Sequence, residues 1–332
     1  MCRRLEPGVR AGATRWLRLL GALSSIAAGD WVLPRAVHAQ ASVPGMRGDW
    51  GLKSGSQMAP GEYLGFIYQI YDANKIIDKN GVSIPRVRLD QQAFGAFPAY
   101  VSPHPIVGGH WGVYAAIPVW ANASIGVANA DVTTGWALSD FYVQPIYLGW
   151  TFPRADLTTG FGVSIPTGRF KDGATNNTGL GMWGYNVDAG ATVYADSAKH
   201  WNIATLATFQ TQSNLKGTDK RPGNNLTLEG GAGYAFLKGL ANAGIVYYAQ
   251  WKVSDDRNFP ILRIPRFNGR NRYYALGPEL TVPLAVKPLP LVMTARYFIE
   301  MGNRVATQGN SFLVFLTAAN PFIPKKPNPE DE

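Results

Sequence analysis

A set of polar side chains recurs at alternate positions within runs that are otherwise apolar or small: Gln69, Arg86, Arg88, Asp90, Asp188, Gln210, Glu229, Gln250, Glu279, Arg296 and Glu300. Charges set into such runs must pair, because an isolated buried charge is strongly disfavoured. Glu229, Gln250, Glu279 and Arg296 fall in four successive runs, so they can meet at one level. Two chemistries follow. A closed network would plug and stiffen an interior, whereas an open one would form a constriction that sorts solutes.

Other chemistries find thin support. Beyond residue 39 the histidines are His104, His110 and His200, and the single cysteine is Cys2, so no metal-ligand set is in place. Gly179-Leu-Gly-Met-Trp-Gly184 spells a dinucleotide fingerprint, but that motif works only where a strand turns into a helix, and here it opens another strand. Neither Gly-x-Ser-x-Gly nor His-Glu-x-x-His occurs. A lipase-like hydrolase would need a His beside a Ser at one rim, for which His110 is the candidate. The reading is a non-enzyme with no catalytic residue, metal or cofactor.

The elements that carry these side chains have a period of two. In 226–236, Leu226, Leu228, Ala232, Tyr234 and Phe236 oppose Thr227, Glu229, Gly231, Gly233 and Ala235; in 241–253, Ile245, Tyr247 and Trp251 oppose Gly244, Tyr248 and Gln250. Such alternation marks a strand with one apolar face. About twelve such segments lie near 62–72, 86–100, 111–122, 137–151, 156–166, 182–195, 200–212, 225–236, 240–253, 271–283, 290–301 and 310–319. Counted from the first, the odd-to-even connections are long and polar, as in 167–181, 213–224 and 254–270. The even-to-odd ones are mostly short, with 101–110 and its two histidines as the exception. A soluble sandwich has no reason to sort loop lengths by side, whereas a membrane barrel does. Closure also removes strand edges, and an open sheet could not span hydrocarbon with unpaired amides. The fold is therefore read as all-β: a transmembrane antiparallel up-and-down β-barrel of about 12 strands. Pro118, Pro145 and Pro278 fall inside strands and fit only at bulges or near rims. Trp111, Trp120, Trp136, Trp150, Trp183, Trp201 and Trp251 lie near segment ends, as an interfacial girdle would place them.

Composition agrees. Charged residues are 16% of the chain and aromatics 12%, and the formal charge is +9. Six Arg and two acids within residues 1–39 account for four of those nine charges, and no basic block follows that would suggest nucleic acid. Residues 1–39, with basic residues, an apolar stretch from Trp16 to about Ala28 and Val37-His-Ala39, read as a secretory signal. Residues 40–60 read as a periplasmic lead-in, 61–319 as the barrel, and 320–332 as a disordered tail.

Several spaced motifs carry a family likeness: Asp140-Phe-Tyr-Val-Gln-Pro-Ile-Tyr-Leu-Gly-Trp150, Pro166-Thr-Gly-Arg-Phe170, Asn177-Thr-Gly-Leu-Gly-Met-Trp183, Leu226-Thr-Leu-Glu229, Tyr248-Ala-Gln-Trp251 with Asp255-Asp256, and Ala275-Leu-Gly-Pro-Glu279. Together, over roughly 61–318, the chain resembles the outer-membrane proteins of the meta-pathway of phenol degradation. The resemblance implies a channel in the bacterial outer membrane that takes up aromatic or other hydrophobic small molecules. Its expected partners are outer-membrane lipid, the barrel assembly machinery and the solute. It implies no catalytic residue. The alternatives are a structural or binding barrel without transport, and a barrel lipase. One departure is the tail after Ser311–Thr317, since bacterial barrels commonly finish on an aromatic residue that the assembly machinery reads.

Overall fold

The structure, a computed structural model, describes residues 47–321 apart from 117–118, 128–129, 175, 260–268 and 285–289. The signal at 1–39 and the tail from 322 onward lie outside the described residues.

Fifteen strand segments form one antiparallel sheet that closes on itself, with the first strand bonded both to the second and to the last. They make twelve barrel strands. The first two are β1 (Gly61–Ile77) and β2 (Ser83–Ile106). The third is broken into β3 (Gly109–Ala116) and β4 (Val119–Val127). The fourth comprises β5 (Ala130–Thr133), β6 (Ala137–Leu138) and β7 (Phe141–Thr151). There follow β8 (Ala155–Ile165), β9 (Gly184–Tyr194), β10 (Trp201–Gln212), β11 (Asn225–Phe236), β12 (Ala241–Lys252), β13 (Arg272–Leu284), β14 (Leu291–Glu300) and β15 (Ala306–Pro321).

Apart from the closing pair of first and last, every barrel strand pairs antiparallel with the next in sequence, so each hairpin places alternate residues on the same face. Outward residues are large and apolar. Leu64, Phe66, Tyr68 and Ile70 of β1 are exposed, as are Val187 (56%) on β9, Ile203 (69%) on β10, Ile245 on β12 and Ile299 on β14. Side chains of this kind on the outer face of a closed barrel form a belt for acyl chains, and in water they would be an aggregation surface. Indoles mark its two edges. Trp111, Trp150 and Trp201 lie at the end where the chain enters β1, and Trp136, Trp183 and Trp251 at the other. Several of these N–H groups donate to nearby oxygens: Trp111 to Pro145 O (3.0 Å), Trp150 to Val107 O (3.0 Å) and Trp251 to Tyr274 Oη (2.9 Å).

Two expected loops prove to be strand. The connection read at 101–110 is a turn of Val107 and Gly108, both with positive φ, because β2 runs on to Ile106 and β3 starts at Gly109. Around 123–136, β4 and β5 continue as a hairpin beyond the belt. The first change sharpens the side-to-side asymmetry, since the turn at 107–108 is short while 166–183 and 213–224 are long; the second shortens one outer connection, because β4 ends at Val127 and β5 starts at Ala130. Pro145 sits at a bulge, where the registers of β7 with β8 and β3 both shift. The β13–β14 ladder passes over Gly277 and Pro278, leaving the missing proline N–H without a slot to fill. Pro118 lies outside the described residues.

The apolar core sits inside the barrel, on one side of it. Val246, Tyr248, Tyr273, Ala275, Phe298, Ala306 and Leu313 pack around Leu52, with Ile67 and Phe315 against them. Leu52 belongs to no strand. The stretch at 40–60, placed in the periplasm by sequence, instead enters the lumen over residues 47–57.

Candidate functional site

Residues 47–57 run inside the barrel, with a short 3-10 turn at Gly51–Lys53. Their path is bound to opposite walls. On one wall, Glu229 of β11 accepts the backbone N–H groups of Gly48 (3.0 Å) and Trp50 (3.2 Å). Glu279 of β13 accepts that of Leu52 (3.2 Å). Arg296 of β14 is paired with Glu279 and donates to the carbonyls of Gly48 (3.0 Å) and Asp49. On the other wall, the Gln57 amide donates to Tyr147 O (2.8 Å), and Trp50 lies edge-on to Tyr114 at 5.4 Å. Near the inner mouth, Asp156 accepts the hydroxyls of Ser56 (2.7 Å) and Tyr194 and pairs with Lys199 (3.0 Å). A segment held to both walls crosses the lumen between them.

Small residues make room for it. A Cβ on Gly233 would stand 2.9 Å from the Leu52 side chain, and one on Gly244 the same distance. Gly55 passes so close to the β9 backbone at Ala191 that a Cβ there would fall 2.2 Å from a carbonyl carbon. Gly48 and Gly51 hold φ of 82° and 61°, in the region that glycine enters without strain.

Above this segment the inward carboxylates are tied into networks. Glu300 accepts from Tyr71 Oη (2.8 Å), Tyr248 Oη (2.7 Å), Asn303 Nδ2 (3.1 Å) and Gly309 N (3.0 Å). Asp188 accepts from Gln144 Nε2 (3.0 Å), and Gln144 Oε1 accepts the hydroxyls of Tyr114 and Tyr142, each at 2.7 Å. Gln250 donates to Thr227 Oγ1 (2.8 Å), but its Oε1 meets no partner. Arg47 stacks its guanidinium on Tyr273, 3.8 Å from the ring centroid.

Of the eleven polar residues singled out in the sequence, Asp188, Gln210, Glu229, Gln250, Glu279, Arg296 and Glu300 face this interior, all buried, with Gln69 half-buried on the inward side of β1. Arg88 and Asp90 do not. They pair at 2.7 Å on the outer face of β2, and Arg88 is mostly exposed. The physical reason is length: β2 has 24 residues, so its start projects beyond the apolar belt, where outward charge is tolerated. The side chain of Arg86 lies outside the described residues. What sequence reasoning missed is the lumen segment itself. Its trace was the inward row Gly231, Gly233 and Gly244, which leaves a space that strand side chains alone do not fill.

The shared motifs now have places. Asp140 accepts the backbone N–H of Gly168 (2.9 Å) and Leu180 (2.7 Å), fastening the long loop 166–183 to the outer rim. Burial pushes its carboxyl up from the usual range, against the pull of those two donors. His110 Nδ1 lies 2.9 Å from Ser102 O, while the Ser102 hydroxyl bonds the backbone of His104, so the pair is not arranged as nucleophile and base. Among the described residues no three His, Cys, Asp or Glu side chains are grouped to hold a metal.

Comparison with known proteins follows the same line. Residues 73–315 match a family model described as "Putative MetA-pathway of phenol degradation". None of the curated proteins matches the chain in sequence. Among solved structures, the fold is similar to an outer membrane channel from Pseudomonas putida F1, with a TM-score of 0.66 and 10% identity, covering 83% of this chain and 99% of that one. A weaker likeness, at a TM-score of 0.42 and 13% identity, is to the β domain of the Bordetella autotransporter BrkA, covering 79% of this chain and all of that one.

Proposed function

The chain belongs to this phenol-degradation family, and from that membership we propose that it is an outer-membrane channel for aromatic or other hydrophobic small molecules, closed at rest by its own N-terminal segment. The single observation that carries the reading is the crossing of the lumen by residues 47–57, held to β11, β13 and β14 on one wall and to β3 and β7 on the other. A barrel needed only as a rigid anchor could fill its interior with strand side chains. Here a separate segment sits in a glycine-lined recess and is fastened mainly through its backbone, an arrangement that can be released without disturbing the strands.

The wall supports passage of small rings. One side is apolar, with Tyr248, Tyr273 and Phe298, and the other carries Asn and Gln side chains, such as Asn186, Gln210 and Gln212, that suit water. Passive diffusion needs no nucleotide, metal or covalent step. Glu229, Glu279 and Arg296 hold the gate, and Asp188, Gln250 and Glu300 shape the path above it. In reconstituted liposomes, labelled phenol is expected to enter several times faster than through protein-free lipid, while maltose is excluded. Equal entry with and without protein would remove the transport reading and leave a structural or binding barrel.

A further inference from the structure

We propose that Trp50 occupies a binding site for a neutral, hydroxylated aromatic ring, and that such a solute opens the channel by taking the place of the indole. For its consequence, opening, this rests on the channel reading above; the site itself does not.

The geometry is that of a ring site. The Trp50 indole lies edge-on to Tyr114 at 5.4 Å and tilted against Tyr147 at 5.9 Å, within the range of favourable aromatic pairs. It borders a recess lined by Tyr142, Asp188, Asn186 and Gln210. Asn186 and Gln210 are each 3% exposed, yet Asn186 Oδ1 and Gln210 Nε2 meet no hydrogen-bond partner, leaving one acceptor and one donor on the recess wall. Buried polar groups are nearly always paired, so an unpaired donor and acceptor beside an aromatic cage point to a ligand carrying both functions, as a phenolic hydroxyl does. The recess has room for about one water molecule, so a ring can enter only where the indole now sits.

Charge sets the class. Asp188 and Glu229 both line the recess. The guanidinium groups near the segment are committed elsewhere, Arg296 to Glu279 and two carbonyls, Arg47 to the Tyr273 face. An aromatic carboxylate would therefore face two carboxyl groups and no counter-ion, whereas a neutral phenol needs none. The backbone of Trp50 is held separately through Glu229, so removing the indole leaves the segment its main-chain bonds.

The test compares phenol, neutral at pH 7, with benzoate, binding to full-length protein in nanodiscs by equilibrium dialysis. W50A is expected to bind phenol about tenfold more tightly than the wild type, to show no gain for benzoate, and to lose the phenol gain in W50A/Q210A. No gain in W50A, or equal gains for both solutes, overturns the proposal. Should W50A fail to show the heat-modifiable gel mobility of a folded barrel, W50F carries the same comparison with an expected gain of about threefold, and its failure counts equally. Liposome flux separates this proposal from the channel reading. Tighter phenol binding without faster phenol entry leaves the site and removes the channel. Faster entry of phenol and benzoate alike, without tighter binding, leaves the channel and removes the site.

Discussion

At the scale of single residues, the interior charges act as fasteners, and their removal should be read at the lumen segment as well as in the barrel. Arg296 and Glu279 are buried together, so R296A strands a carboxylate and is expected to cost about 3–5 kcal/mol. The double variant E279L/R296M removes both charges and should recover most of that loss, while still loosening the segment, which loses its bonds from Leu52 N and to Gly48 O. The check is the temperature at which the folded gel band disappears, measured beside the open fraction in bilayers. Leu52 fills its recess completely (1% exposed). L52A should weaken seating by about 2–5 kcal/mol, the usual cost of emptying a buried leucine site, with the barrel band unchanged. G233V attacks the same contact from the wall, and open-channel events should rise with it too.

At the scale of elements, the twelve-strand pattern was legible because lipid on one side and a crowded lumen on the other impose strict alternation. The faces read for 226–236 and 241–253 are those the structure shows. Strand ends were harder. Beyond the belt the outside is no longer hydrocarbon, so alternation loses its meaning and β2 carries Arg88 and Asp90 outward. Changing either of these to Ala should leave conductance and solute entry as they are, which bilayer recordings can check directly. The segment at 47–57 was illegible for a different reason. It has no period and few apolar residues, and its position is set by partners about 100 to 250 residues away in sequence, such as Asp156, Glu229 and Arg296. The loop 166–183 is fastened at Asp140, so D140A should expose it to protease on intact cells while the strands stay protected.

At the scale of the whole molecule, a barrel and networked interior charges are joined by a third component, a chain segment that those charges hold. Stability and closure are therefore separate properties. Hydrogen-bonded closure of the sheet supports the cylinder, and a small set of backbone bonds to Glu229, Glu279 and Arg296 holds the segment across it. Variants of the second set should change passage before they change folding. The most direct test is single-channel recording of the full-length protein beside a variant lacking residues 47–57, both shown to be folded by gel mobility. Brief, infrequent openings are expected for the full chain and a steady, several-fold larger conductance for the shortened one. Identical small conductance in the two proteins would contradict closure by this segment.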